Sequence, residues 1–156
     1  MWILGKCRAV LYLEMGLFFT RQQGPLSGFK RIPMAPTLKV LIVEDSRLFR
    51  HVFKELLRTR FPSLEIHEAI DGEEALRMVE EILPDLLFMD IRLPDANGLD
   101  LTRKIKAQHP RITSIIFTGY DSEYREAARK VADYFLSKRS TSEEVFSLIE
   151  GVLNRR

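Results

Sequence analysis

Glu44, Asp45, Asp90, Thr118 and Lys138 stand where successive apolar runs stop, and their types suit phosphoryl chemistry assisted by a hard cation. Glu44-Asp45 follow Leu38–Val43, and Asp90 follows Leu86–Met89. Thr118 follows Ile112–Phe117, and Lys138 follows Tyr134–Ser137. Carboxylates in an apolar setting are costly unless a cation or a proton neutralises them. Three oxygen side chains converging from two strands suit Mg²⁺, with water and a backbone carbonyl completing its shell. A carboxylate beside such an ion can act as nucleophile toward a phosphoryl group and become an acyl phosphate. Positioning and charge neutralisation supply most of the catalysis in that reaction. Lys138 offers a second cation, and Thr118 a hydroxyl able to donate to a phosphoryl oxygen. One acid pair alone would be weak grounds. All four elements at consecutive strand ends, in this order, are strong grounds.

The elements that position these residues alternate with little waste. Leu38–Val43 is a continuous aliphatic run, which reads as a buried parallel strand. Ser46 to Arg58 carries Phe49, Val52, Phe53 and Leu56 at i, i+3, i+4 and i+7, a helical stripe expected in the core. Pro62 closes that unit. Leu64–Ile70 reads as the second strand, and Asp71-Gly72 as a turn. Glu73–Leu83 is the next helix, with Leu76, Val79 and Leu83 on one face and acids in its first turn, where the helix dipole favours them. Leu86–Met89 is the third strand. A loop of turn formers, Arg92 to Gly98, follows it and leads into a helix over Gly98–His109. Ile112–Phe117, Ser122–Val131 and Tyr134–Ser137 complete the alternation. A last helix is capped by Thr141 or Ser142 and buries Val145, Ile149 and Val152. Five strand–helix units in succession predict an α/β fold, a parallel sheet with helices on both faces.

The 156-residue length fits one domain with a full core. Charge is unevenly spread. Residues 1–36 hold five Lys/Arg against the single acid Glu14, whereas residues 37–156 hold 19 basic and 21 acidic side chains. The main body is therefore no polyanion binder by charge, and direct nucleic-acid binding is not expected. Cys7 is the only cysteine, so an intrachain disulfide is excluded, which fits a reducing compartment. Val10–Phe19 is apolar but short and interrupted by Glu14, so no membrane insertion is expected. Residues 1–36 read as a poorly ordered extension or a start assigned too far upstream, Met34 standing just before the first strand. A membrane-surface or partner-docking helix is the alternative there. Residues 37–156 form the domain.

From Thr37 onward the chain resembles the receiver domains of two-component response regulators, the CheY-like superfamily. The resemblance is carried by Val40 to Ser46, Asp71 to Leu76, Pro84 to Asp90, Leu93-Pro94 with Asn97-Gly98-Leu99, Phe117-Thr118-Gly119, and Ala132 to Lys138. It implies a flavodoxin-like (βα)5 fold, a doubly wound sheet of strand order 2-1-3-4-5. It implies Asp90 as phosphoacceptor, and Glu44, Asp45, Asp90 and the Arg92 carbonyl as ligands of Mg²⁺. Thr118 becomes the switch hydroxyl, Phe135 the switch aromatic, and Lys138 the cation on the phosphoryl group. The implied partners are a sensor histidine kinase or phosphotransfer protein, and then a downstream protein or a second copy. The implied location is the cytoplasm.

Two positions depart from the commonest family pattern. Phe135 stands where tyrosine is frequent, so it can swing inward but has no hydroxyl to donate. Tyr134 should point to the other side of the strand. Arg139 follows Lys138 where many receivers have proline, so no cis-proline turn is expected. Arg92 and Tyr120 should flank the phosphorylation site, where their bulk would slow hydrolysis of an aspartyl phosphate. Leu48 falls beside the first helical stripe and is expected near the acid pair, exposed. Arg125, Arg129 and Lys130 read as a solvated face, and His51, His67 and His109 have no metal-ligand spacing. Three rival readings stand beside the receiver. A phosphohydrolase would need a second carboxylate as acid/base, and Arg92 stands where one would be wanted. A receiver-like interaction module would never be phosphorylated. A receiver fragment of a DNA-binding regulator is the third.

Overall fold

The computed structural model describes residues 37–119 and 121–155, with the side chains of 121–123 left out. The expectations for residues 1–36, including Cys7 and the apolar Val10–Phe19, lie outside the described residues, as does Tyr120. In chain order the elements are β1 (Lys39–Val43), α1 (Arg47–Arg60), β2 (Glu65–Ala69), α2 (Gly72–Ile82), β3 (Leu86–Met89), α3 (Gly98–Gln108), β4 (Thr113–Thr118), α4 (Asp121–Arg129), β5 (Tyr134–Ser137) and α5 (Ser142–Leu153). All pairings are parallel, in the order β2-β1-β3-β4-β5. The parallel sheet is what the residue pattern predicts, and its order is the doubly wound one that the receiver resemblance implies.

Alternation along the central strands separates two cores. Leu41, Val43, Leu87, Met89 and Ile116 face one side, where residues of α2, α3 and α4 cover them. Val40, Ile42, Leu86, Phe88, Ile115 and Phe117 face the other, under α1 and α5. Burying each such side chain contributes about 1.5–3 kcal/mol, so both faces drive the chain to one register. Helix starts are fixed by side chains that accept backbone N–H groups. Ser46 caps α1, Asp71 α2, Asn97 α3, and Thr141 α5, the last as a capping box with Glu144.

Two core assignments are corrected. Val52 is 56% exposed, because α1 turns Phe53 and Leu57 inward with Phe49 and Leu56 beside them. The buried arc is centred between Phe53 and Leu57, which leaves Val52 at its edge. Leu83 is 59% exposed and forms the C-cap of α2 with φ 48°, so it leaves the helix before its face is reached. A left-handed leucine is strained relative to glycine at the same position.

Candidate functional site

The backbone ladder runs one residue past each strand and so fixes the groups at its carboxyl edge. Glu44 N–H donates to the Ala69 carbonyl at 3.0 Å, Asp90 N–H to that of Val43 at 3.0 Å, and Lys138 N–H to that of Thr118 at 2.9 Å. Glu44, Asp45 and Asp90 each place a carboxylate oxygen within 4.8 Å of the others. Glu44 and Asp90 are only 2% and 6% exposed, whereas Asp45 is open to solvent. The Lys138 ammonium lies between the two buried acids, 2.8 Å from Asp90 Oδ2 and 2.5 Å from Glu44 Oε2. The second oxygens are held by main chain. Asp90 Oδ1 accepts from Ile91 N–H at 2.7 Å, and Glu44 Oε1 from Ser46 N–H at 3.2 Å.

Charge in this cluster is unbalanced, with two buried carboxylates and a third at the rim against one ammonium. Burial pushes the Glu44 carboxyl above its usual range. The hydrogen bond and charge of Lys138 oppose that, and the neighbouring Asp90 charge adds to it. Burial alone would lower Lys138, but its bonds to Asp90 and Glu44 overcome this and hold it above its ordinary value. A surplus of buried hard oxygen donors over cations is the donor set that Mg²⁺ takes. The residues present therefore fit a divalent ion.

Thr118, fully buried, ends β4 beside the strand that delivers Lys138. Arg92 stands exposed two residues beyond Asp90, in a loop closed by an antiparallel bridge from Arg92 to Asn97 and by Gly98 N–H donating to the Ile91 carbonyl at 2.8 Å. Gly98 is required there. A Cβ on it would stand 1.9 Å from the Asp90 carbonyl oxygen, well inside contact distance. Phe135 does not join the acid cluster. It packs against the core under α2, α3 and α4, with the Arg125 guanidinium 4.8 Å from its ring centroid. Tyr134 faces the opposite core, as strand alternation requires, and its hydroxyl accepts from Arg155 at 2.8 Å. Leu48 is exposed, and His67 and His109 pair with Glu65 and Glu80 and are not grouped with one another.

Three contributors are not singled out by the sequence. Arg50, on α1, donates to the Glu44 carbonyl at 2.6 Å and pairs through Nε with Glu68 at 3.4 Å, tying the acid turn to β2. Asp95 accepts from Gly72 N–H at 2.8 Å and Glu73 N–H at 2.9 Å, so the loop after Asp90 is fastened to the start of α2. Those two bonds hold the Asp95 carboxyl below its usual range, that from Gly72 contributing most. Phe49 presents its ring to Lys138 at 4.8 Å. The sequence offers Phe49 only as part of the helical stripe and Asp95 only as a turn former, and it gives no sign of Arg50's contact.

Among the described residues no helix is long and apolar enough to cross a membrane. The family model for the response regulator receiver domain matches residues 40–150. The chain is similar to chemotaxis protein CheY of Halobacterium salinarum, with 32% identity over 117 residues that span 74% of this chain and 96% of that one. It is also similar to a protein-glutamate methylesterase/protein-glutamine glutaminase of Pyrococcus abyssi. Identity there is 36% over 123 residues, 76% of this chain but 31% of that protein. Among solved structures, a CheY-like receiver domain protein from Methanospirillum hungatei is 27% identical with a TM-score of 0.69, covering 76% of this chain and 94% of the other. The chain spans roughly a third to a half of the length of several curated relatives it matches, at 30%, 31%, 42% and 54%. What those longer proteins do as wholes is therefore not carried to it. The match over residues 40–150, the sheet order and the acid cluster at the strand ends agree, and the chain belongs to the response regulator receiver family of two-component signalling.

Proposed function

We propose that Asp90 is the phosphoacceptor, taking a phosphoryl group from a phosphohistidine on a sensor histidine kinase or phosphotransfer protein. A carboxylate oxygen of Asp90 attacks phosphorus, the phosphorus–nitrogen bond breaks, and the departing imidazole takes a proton. Glu44, Asp45, Asp90 and the Arg92 carbonyl would hold Mg²⁺, which neutralises charge on the transferring group. Lys138 balances the charge that Asp90 gains, and the Thr118 hydroxyl donates to a phosphoryl oxygen. Phe135 then repacks beside Arg125, and a pre-existing equilibrium moves toward a conformer with a different surface over α4, β5 and α5. The observation that carries this reading is the Lys138 ammonium bridging two buried carboxylates, with Asp45 completing a triad within 4.8 Å.

The donor would approach over exposed Leu48 and Val52 of α1, beside the acid pair. The output would be a downstream protein or a second copy, with no direct nucleic-acid contact by this domain. The receiver is residues 37–156, with 1–36 an extension to it, and the reaction belongs in the cytoplasm, where phosphodonors are made. The chain receives a group and assists that transfer and its reversal; it is not proposed to turn over a substrate. Intact-mass analysis after incubation with Mg²⁺ and acetyl phosphate tests the reading. Addition of one phosphoryl group is expected in the unaltered protein and complete loss of it in Asp90→Asn. Failure with acetyl phosphate and with a partner kinase alike would favour an unphosphorylated interaction module.

A further inference from the structure

The contacts of Lys138 assign a role to a residue that the receiver resemblance does not. We propose that Phe49 is a positioning residue for Lys138, holding the ammonium against its ring face so that the charge stays beside Asp90. This rests on the reading of Asp90 as phosphoacceptor. An ammonium has three N–H groups and no acceptor. Two are used by Asp90 Oδ2 at 2.8 Å and Glu44 Oε2 at 2.5 Å, and Nζ lies 4.8 Å from the Phe49 ring centroid. That distance is inside the range of about 6 Å over which a ring quadrupole attracts a cation. The Lys138 side chain is 19% exposed, so little water competes for the charge and the attraction is weakly screened.

The ring is itself held. Phe49 lies 6.1 Å from Phe53 with the planes 15° apart, and 5.3 Å from Phe117, centroid to centroid. Phe53 in turn meets Phe117 at 4.5 Å and Phe88 at 5.0 Å. Phe117 directly precedes Thr118, and Phe88 lies two residues before Asp90. Four rings thus form a floor from α1 to the strands that deliver the reacting groups. Among these three contacts of the ammonium, Phe49 differs in carrying no charge to titrate or to be recruited by another cation. Its hold is therefore independent of what Glu44 and Asp90 are doing.

The alternative is that Phe49 is simply core, and graded fluorination separates the two. Replacing Phe49 by 4-fluoro-, 3,5-difluoro- and 3,4,5-trifluorophenylalanine weakens the negative ring face stepwise while nearly keeping its shape. The rate of phosphorylation by acetyl phosphate with Mg²⁺ is read by intact mass, and the urea midpoint is read on the same samples. The same series at Phe146, which stacks edge-on against Phe61 at 5.7 Å, serves as control. The expected result is a stepwise slowing that reaches about fivefold with three fluorines, with the midpoint unchanged and the Phe146 series flat. A flat Phe49 series overturns the proposal, as does a slowing matched at Phe146 or accompanied by a falling midpoint. If the unaltered protein takes up no phosphoryl group, the phosphoacceptor reading fails first and this inference with it.

Discussion

The two rims of the sheet each carry an aspartate–lysine pair at 2.8 Å, and they behave in opposite ways. At the amino-terminal rim, Asp133 Oδ2 accepts from Lys106 at 2.8 Å, from Ser114 N–H at 2.8 Å and from the Ser114 hydroxyl at 3.0 Å. Lys106 also donates to the carbonyls of Pro110 at 3.2 Å and Ile112 at 3.0 Å. Burial would raise the Asp133 carboxyl, but the bonds from Lys106 and Ser114 outweigh it and hold the group below its usual range. At the carboxyl-terminal rim, Lys138 meets Asp90 at the same distance but is shared with Glu44, whose carboxyl is pushed up. Pair distance therefore does not separate a structural contact from one proposed to react. What separates them is the ratio of donors to carboxylates: surplus donors close the first rim, and surplus acid leaves the second open to a cation.

Removing the lysine from each rim is the strongest way to break this comparison. Lys138→Met should slow phosphorylation by acetyl phosphate about a hundredfold, the scale seen when one charge-stabilising donor is removed from a reaction centre. Lys106→Met should leave that rate intact and instead lower unfolding stability by about 1–2 kcal/mol, through loss of bonds to a charged group, discounted because Asp133 is partly solvated. Urea titrations alongside intact-mass kinetics would show the exchange of phenotypes, and a shared phenotype would end the distinction. Next in size is the response to the ion itself. Mg²⁺ at a hundred times its Kd should stabilise the fold by about 2.7 kcal/mol by mass action. Asp45→Asn should remove most of that gain, as seen in thermal unfolding with and without the ion.

The smallest effect is the pH response of the closed rim. Asp133 is lowered in the folded state, so its contribution is fully present above the unfolded value of about 3.9 and is lost as pH falls through the folded one. Asp133→Asn should therefore differ from the unaltered protein in urea midpoint at pH 7, and the gap should narrow at pH 3. A gap that widens in acid would reverse the assignment.

The strands and the clustered acids were legible in the sequence because both are local signals. Leu86–Met89 and Tyr134–Ser137 are found with the predicted bounds, since an apolar run closed by a polar residue fixes both ends of a buried strand. Glu44, Asp45, Asp90 and Lys138 converge because parallel strands bring all their carboxyl ends to one edge. What was illegible depends on partners distant in sequence. Asp95 reaches α2 across 23 positions, Lys106 meets Asp133 across 27, and Phe49 meets Lys138 from another layer of the fold. Val52 shows the limit of periodicity. A stripe at i, i+3 and i+4 is helical on any face, and the packed arc on α1 is set by Phe53 and Leu57 against the sheet.

Gly98 gives the site a fixed reference that side-chain variation cannot reach. Gly119 and Gly151 have nothing within 4 Å of an added Cβ, whereas Gly98 has the Asp90 carbonyl at 1.9 Å. A saturation library read by phosphate uptake would accordingly accept alanine at 119 and 151 and leave a single occupied row at 98. Loops of other lengths and charges grafted between Asp90 and α3, to retune how long the proposed acyl phosphate lasts, would then have to end on that one residue.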